Sequence, residues 1–307
     1  MKTLIGILII GVLITSTLYA GPTISYEGLF GEFVQYSAYQ FVDFIENGDF
    51  SYARNDYISA ESLYQKACEF AASRKNYKLL TISLLSLGTA LGKQGKTEQA
   101  LVTFNQCLNN KISIENPNLL SILYFNLGVA YHTLNYFDSA IINYSTAIGI
   151  VPSEYSFYMN RADAYQGKKK YDFAILDYSR TIELESSYTN AYNNRGLCYY
   201  FKRNYFDALK DYNKAVELDS GYVSVYRNRG LLYEAEKEYD LAIQDYNQAI
   251  KLDTAYAEVM VELGNVYLTK NDKISALHWY EQALKYHEHL NNYTETDVQD
   301  KINKLGQ

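Results

Sequence analysis

Proline is scarce in this chain, three residues in 307, so little interrupts a helix and few turns are fixed by a locked φ. Cysteine is equally scarce. Cys68, Cys107 and Cys198 are odd in number and lack C-x-x-C pairing, which argues against a disulfide framework and for buried thiols. Of four histidines, His287 and His289 stand two apart, on different sides of a helix, so no metal site is expected. Basic clusters are missing too. The net charge is -7, and the one run, Lys168 to Lys170, reads as a solvated turn, which argues against nucleic acid as a partner. There is no glycine-rich phosphate loop, no H-E-x-x-H pair, no nucleophile elbow and no zinc-ligand spacing, so no cofactor and no catalysis are expected. The carboxylates, such as Glu183 and Glu217, recur at equivalent outer positions and read as solvated helix faces.

The first twenty residues stand apart. Lys2 is followed by an uncharged apolar run and then by small or neutral residues up to Ala20, the pattern of an export signal cleaved after Ala20. Leu18 fits the minus-three position less well than alanine would. The alternative is a retained anchor, although the run is short for a span of about 20 residues. In both cases the body is expected on the exported side, periplasmic or secreted, with a membrane as partner only if the segment is retained. Residues 21–40 form an aromatic, glycine-containing stretch.

What fills the remainder is tyrosine, 33 residues of it, and repetition. "AYNNRGLCYYFKRNYFDALKDYNKAVELD", from Ala191, returns 34 residues later and also appears 34 residues earlier. With Thr189 as position 1, position 20 is alanine seven times: Ala60, Ala100, Ala140, Ala174, Ala208, Ala242 and Ala276. Position 24 is always aromatic, from Tyr64 to Tyr280. Position 8 is glycine except at Ala162, and position 27 is always small. Positions 4, 7, 8 and 11 make one stripe of a first helix; 20, 24 and 27 make one stripe of a second. Small residues at 8 and 20 let the two helices approach closely, and the aromatic rings fill the space beside that contact. One such pair cannot bury its own stripe, so pairs stack.

This pattern resembles the tetratricopeptide repeat family over roughly Phe41 to Leu290. Tyrosine stands where that family usually has tryptophan at position 4, and Pro152 is the only proline at position 32. The resemblance implies an all-α fold, a right-handed α-solenoid of about seven helix-turn-helix repeats, closed by a capping helix over residues 291–307. Two repeats with 40-residue spacing (41–120) precede five with 34-residue spacing (121–290), the extra residues falling near "SRKNYK" and "KISIEN". Thr294 with Asp297 reads as the cap's N-terminal pair, and Val298, Ile302 and Leu305 as its apolar stripe.

Two constellations remain. Asparagine holds position 6 in four successive repeats: Asn126, Asn160, Asn194 and Asn228. The resemblance places that position on a concave groove, like the asparagine ladder that holds a peptide backbone in one transferase of the family. An amide both donates and accepts, so such a ladder gives affinity without reading sequence. Arg227, Tyr200 and Phe201, at positions 5, 12 and 13, are the candidate side-chain contacts. The family's carboxylate clamp transfers poorly, because position 9 is Leu197 or Leu231 and position 2 is Asn190, Ser224 or Glu258. The second constellation is arginine at position 7 with aspartate at position 23: Arg161 with Asp177, Arg195 with Asp211, Arg229 with Asp245. Where position 7 is leucine, position 23 is Thr103, Asn143 or Trp279, so an ion pair within each repeat is expected. The expected function is a non-enzymatic scaffold for a protein or peptide segment. The alternative is a chaperone or specificity subunit that presents clients to a catalytic or envelope-assembly partner.

Overall fold

A computed structural model describes residues 35–109, 116–290 and 292–305. The export segment, residues 21–34 of the aromatic stretch and nearly all of the second insertion lie outside these. Among the described residues every regular element is helical, and no helix is long and apolar enough to cross a membrane.

The chain forms two compact units, divided between Lys169 and Lys170. The first holds α1 (Gln35–Ala53), α2 (Tyr57–Ser73), α3 (Tyr77–Lys93), α4 (Thr97–Asn109), α5 (Pro117–Thr133), α6 (Phe137–Ile150) and α7 (Tyr155–Gly167). The second holds α8 (Tyr171–Leu184), α9 (Thr189–Phe201), α10 (Tyr205–Leu218), α11 (Val223–Ala235), α12 (Tyr239–Leu252), α13 (Ala257–Thr269), α14 (Lys273–Leu284) and α15 (Glu295–Leu305). Within each unit every helix packs on the next, as in a solenoid of helix pairs. First helices also touch one another, α3 with α5, α5 with α7, and α9 with α11. Second helices make no comparable contact, so the first helices form the crowded layer. In the first insertion the extra residues lengthen helices: α2 and α3 each run 17 residues, whereas α8 runs 14 and α9 runs 13.

The repeat residues do what their spacing predicts. Tyr212, Tyr246 and Tyr280 are fully buried, and each ring crosses its first helix at a glycine. A Cβ at Gly230 would stand 2.5 Å from Tyr246 Cε1, so only glycine leaves room there. The alanines at positions 20 and 27 of these pairs are completely buried, which is where neighbouring helices close up. All three cysteines are free and buried, and burial pushes the Cys68 thiol up to about 12. At the C-terminal end Thr294 Oγ1 donates to Asp297 Oδ2 (2.7 Å) while Asp297 N donates back to Thr294 Oγ1 (3.0 Å), a capping box for α15. Val298 is fully buried against α14 and its neighbours, with Ile302 and Leu305 beside it.

The turn inside each helix pair carries one residue in the left-handed region: Asn55, Gly95, Asn135, Lys169, Arg203, Lys237 or Asn271. Only Gly95 escapes the Cβ penalty of that conformation. Arg203 is exposed with φ 59°, so Arg203→Gly is expected to stabilise by about 0.5–1 kcal/mol, read as a raised Tm. An unchanged or lowered Tm would show that the turn is not strained.

Candidate functional site

Position 7 is built as a three-helix stitch. Arg195 leaves α9 and makes a bidentate pair with Asp211 of α10, Nε to Oδ2 at 2.8 Å and Nη2 to Oδ1 at 2.7 Å. Its Nη1 donates to Ser179 Oγ of α8 at 2.9 Å. Arg229 repeats this with Asp245 (2.7 and 2.8 Å) and with Asn213 Oδ1 of the preceding second helix (2.7 Å). Burial pushes the Asp211 carboxyl up, and the facing guanidinium offsets part of this. Arg161 belongs to the first unit, where its Nη1 donates to Ser145 Oγ (2.9 Å); Asp177 is buried in the second.

The asparagine series requires a correction at two of its members. Asn126 and Asn228 are buried, and their amides are engaged between helices: Asn126 Nδ2 with Thr89 Oγ1 (3.3 Å) and Asn228 Nδ2 with Asn193 Oδ1 (2.9 Å). In both, the amide nitrogen is engaged within the protein. The reason is the crowding of first helices, which brings Asn228, at position 6, against position 5 of the repeat before it, Asn193, and Asn126 against position 9 of the repeat before it, Thr89. Asn160 and Asn194 are half-buried. Asn160 Nδ2 donates to Ser156 O (2.9 Å), and Asn194 Oδ1 accepts from Asn193 (3.0 Å).

The same register makes a charged centre in the second unit. Arg227, at position 5, faces Glu262, at position 6 of the next repeat. Nη2 meets Oε1 at 2.5 Å, and Nε lies 3.1 Å from both oxygens. Glu258 Oε2 stands 3.8 Å from the same guanidinium, and Asn292 N donates to Glu258 Oε1 at 2.7 Å. Arg227, a candidate peptide contact, is therefore paired within the protein. Glu234 is half-buried nearby, with the Tyr246 hydroxyl at 3.1 Å and no cation paired to it among the described residues. Glu262 feels the charge of both Glu258 and Glu234, while Arg227 pairs with Glu262 and Glu258 only. Burial pushes the carboxyls of Glu234 and Glu262 up.

Half-buried tyrosines surround this centre. Tyr200 and Tyr293 lie within the field of Glu234 and Glu262, and Tyr256 within that of Glu262 and Glu258. The Phe201 ring stacks on Tyr171 at 5.3 Å and meets the Tyr200 ring edge-on at 5.7 Å. Glu234, Glu258, Glu262, Tyr256 and Tyr293 were not among the residues the sequence singled out. One signal was present: Glu262 interrupts the asparagine series 35 residues after Arg227, the offset that links Asn228 to Asn193.

A carboxylate kept half-buried without a cation opposes stability. Its folded pKa is raised above the ordinary 4.5, so the stability it contributes is full below 4.5 and is lost as pH rises through the folded value. Glu234→Gln is therefore expected to raise Tm at pH 7, and the gain should vanish below pH 4.5. A lowered Tm at pH 7 would contradict the burial argument.

Models of the tetratricopeptide repeat match residues 122–153, 189–222, 223–254 and 257–288. The chain is a tetratricopeptide-repeat protein. No curated protein matches it in sequence. Among solved structures, a tetratricopeptide repeat protein from Parabacteroides merdae is 18% identical, covers 88% of this chain and 100% of its own, with a TM-score of 0.64. PilF of Pseudomonas aeruginosa is 18% identical over 62% of this chain and 90% of its own, TM-score 0.52. MamA from Desulfovibrio magneticus is 16% identical over 56% and 97%, TM-score 0.51. At these identities the likeness is one of fold. Tetratricopeptide-repeat proteins are in general non-catalytic and bind protein or peptide partners, so this fold supports a protein-interaction scaffold.

Proposed function

We propose that this tetratricopeptide-repeat protein is a non-catalytic scaffold that holds an extended segment of another protein along the first-helix face of its second unit. One observation carries the reading. On that face Tyr200, Tyr256 and Tyr293 remain half-buried around a polar centre, whereas the tyrosines at position 24 are wholly withdrawn into the core. Partly exposed rings with a polar edge are the side chains that interfaces use as anchors, since they contribute large area at low entropy. The second helices also expose apolar residues, such as Phe206 and Ile274, but without a polar centre of this kind among the described residues.

The reading includes export of the chain, supported by Lys2, the apolar run and Ala20. Mass spectrometry of the protein from its native host should find the chain starting at Gly21; a soluble cytosolic form starting at Met1 would refute export. For the binding face, Tyr200→Ala combined with Tyr256→Ala is expected to weaken binding of the co-purified native partner at least about tenfold. Phe206→Ser combined with Ile274→Ser should leave that affinity unchanged. The reverse ranking would move the function to the second helices.

A further inference from the structure

The first-helix face of the second unit carries a charge imbalance that packing does not require. Glu258 and Glu262 gather around the single guanidinium of Arg227, and Glu262 also feels the charge of Glu234. Glu262 and Glu258 spend that cation between them. Glu234 receives only a neutral tyrosine hydroxyl. Lys301 of the cap donates to Asn265 Oδ1 at 3.0 Å and pairs with none of the three. The walls are aromatic. Tyr200 and Tyr293 lie within the field of Glu234 and Glu262, and Tyr256 within that of Glu262 and Glu258. A carboxylate beside ring faces is the setting in which an ammonium or guanidinium group gains from both ion pairing and the ring quadrupole.

An independent observation lies one repeat away. The Tyr212 hydroxyl is completely buried and has no hydrogen-bond partner among the described residues. Its ring crosses α9 at Gly196, where a Cβ would stand 2.8 Å from Tyr212 Cε1. The equivalent hydroxyls of the following pairs cross at Gly230 and Gly264 and find acceptors on the first-helix side, Glu234 Oε2 at 3.1 Å and Asn265 Oδ1 at 2.8 Å. In the register that Glu234 occupies, the first helix of the Tyr212 pair carries Tyr200 instead of a carboxylate, and the Tyr212 hydroxyl is left without an acceptor among the described residues. Buried hydroxyls are normally satisfied, and an orphan marks a place where a partner atom is missing. A peptide carbonyl carried next to a basic side chain would supply one.

We propose that this face binds a basic side chain, lysine or arginine, of an extended peptide, with Glu234 as the carboxylate that pairs with its cation and Tyr200 as the ring it lies against. The proposal rests on the scaffold reading above and adds the chemical class of the partner. An acidic or C-terminal carboxylate ligand is excluded on this face by the surplus of Glu side chains, since Arg227 is already engaged.

The test uses the full chain and a phage-displayed library of random 12-residue peptides, selected on the wild-type protein and on Glu234→Gln. Wild-type selection is expected to enrich lysine or arginine at one register position of the peptides. The best such peptide should bind Glu234→Gln about tenfold more weakly. Replacing its basic residue by norleucine or citrulline should cost the wild type the same factor and cost the variant nothing further. Tyr212→Phe, which removes a hydroxyl that has no partner in the free protein, should leave Tm unchanged or higher while weakening the peptide several-fold. Selected peptides that are acidic or uncharged, or basic peptides indifferent to Glu234→Gln, would overturn the proposal and leave the scaffold reading standing. No enriched peptide at all would overturn both.

Discussion

Arg195→Leu is expected to destabilise the protein by about 3–5 kcal/mol, while Arg195→Leu combined with Asp211→Asn should lie near the wild type. The asymmetry follows from burial. Asp211 is 5% exposed at its side chain and Arg195 18%, so removing the guanidinium strands a carboxylate away from water. Replacing both partners removes the uncompensated charge with the attraction. The chain already carries the replacement elsewhere, Leu127 with Asn143, and Asn143 satisfies its amide on Ser139 O at 2.8 Å. Burial already holds the Asp211 carboxyl high, so in the single variant it should protonate readily, and the penalty should shrink as pH falls. Equilibrium urea unfolding of the four proteins of the cycle at pH 7 and pH 5 measures both effects. A coupling energy near zero would mean that the 2.7 Å pair contributes nothing beyond its separate halves.

Tyr246→Ala should be comparably severe, about 3–5 kcal/mol, because it empties a fully buried site beside Gly230 where no neighbour can collapse far. Tyr246→Phe separates the ring from its hydroxyl. It keeps the packing and removes only the bond to Glu234, so its expected loss is about 0.5–1.5 kcal/mol. If the alanine variant lost no more than the phenylalanine variant, the glycine-aromatic contact would not be what holds the pair together. Thermal melts of the two variants side by side decide this.

These two results probe the part of the molecule that was legible in the sequence. Position 8, position 20 and position 24 are local requirements of one helix pair, repeated seven times, and each repeat restates the same steric demand. The position 7 and 23 co-occurrence was legible for the same reason: both residues sit within one pair, 16 residues apart, and Arg195 and Arg229 show the contact. What escaped was contact between repeats on the first-helix face. The partner of Arg227 could not be named from the sequence because it lies on the next first helix, 35 residues on. The asparagines looked like a ladder open to a ligand because their side chains are polar at equal spacing. The crowding of α9 against α11 that buries Asn228 is a property of how pairs stack, which period alone does not encode. Glu234 is the sharper case. Its neighbours in the sequence mark it as one more solvated carboxylate, and only the fold sets it over Tyr246, beside Tyr200, without a cation.

The central claim, that partners are held on the first-helix face of the second unit, is tested most directly by site-specific photo-crosslinking. A benzophenone-bearing phenylalanine at position 200 and, separately, at position 206 places the same reactive group on α9's exposed edge and on the outer surface of α10, where Phe206 is 81% exposed. Both carriers are expressed in the native host and irradiated, and the captured peptides are sequenced by mass spectrometry. The account predicts a defined segment of one partner protein captured from position 200 and none from position 206. Capture of that partner from position 206 alone would contradict it.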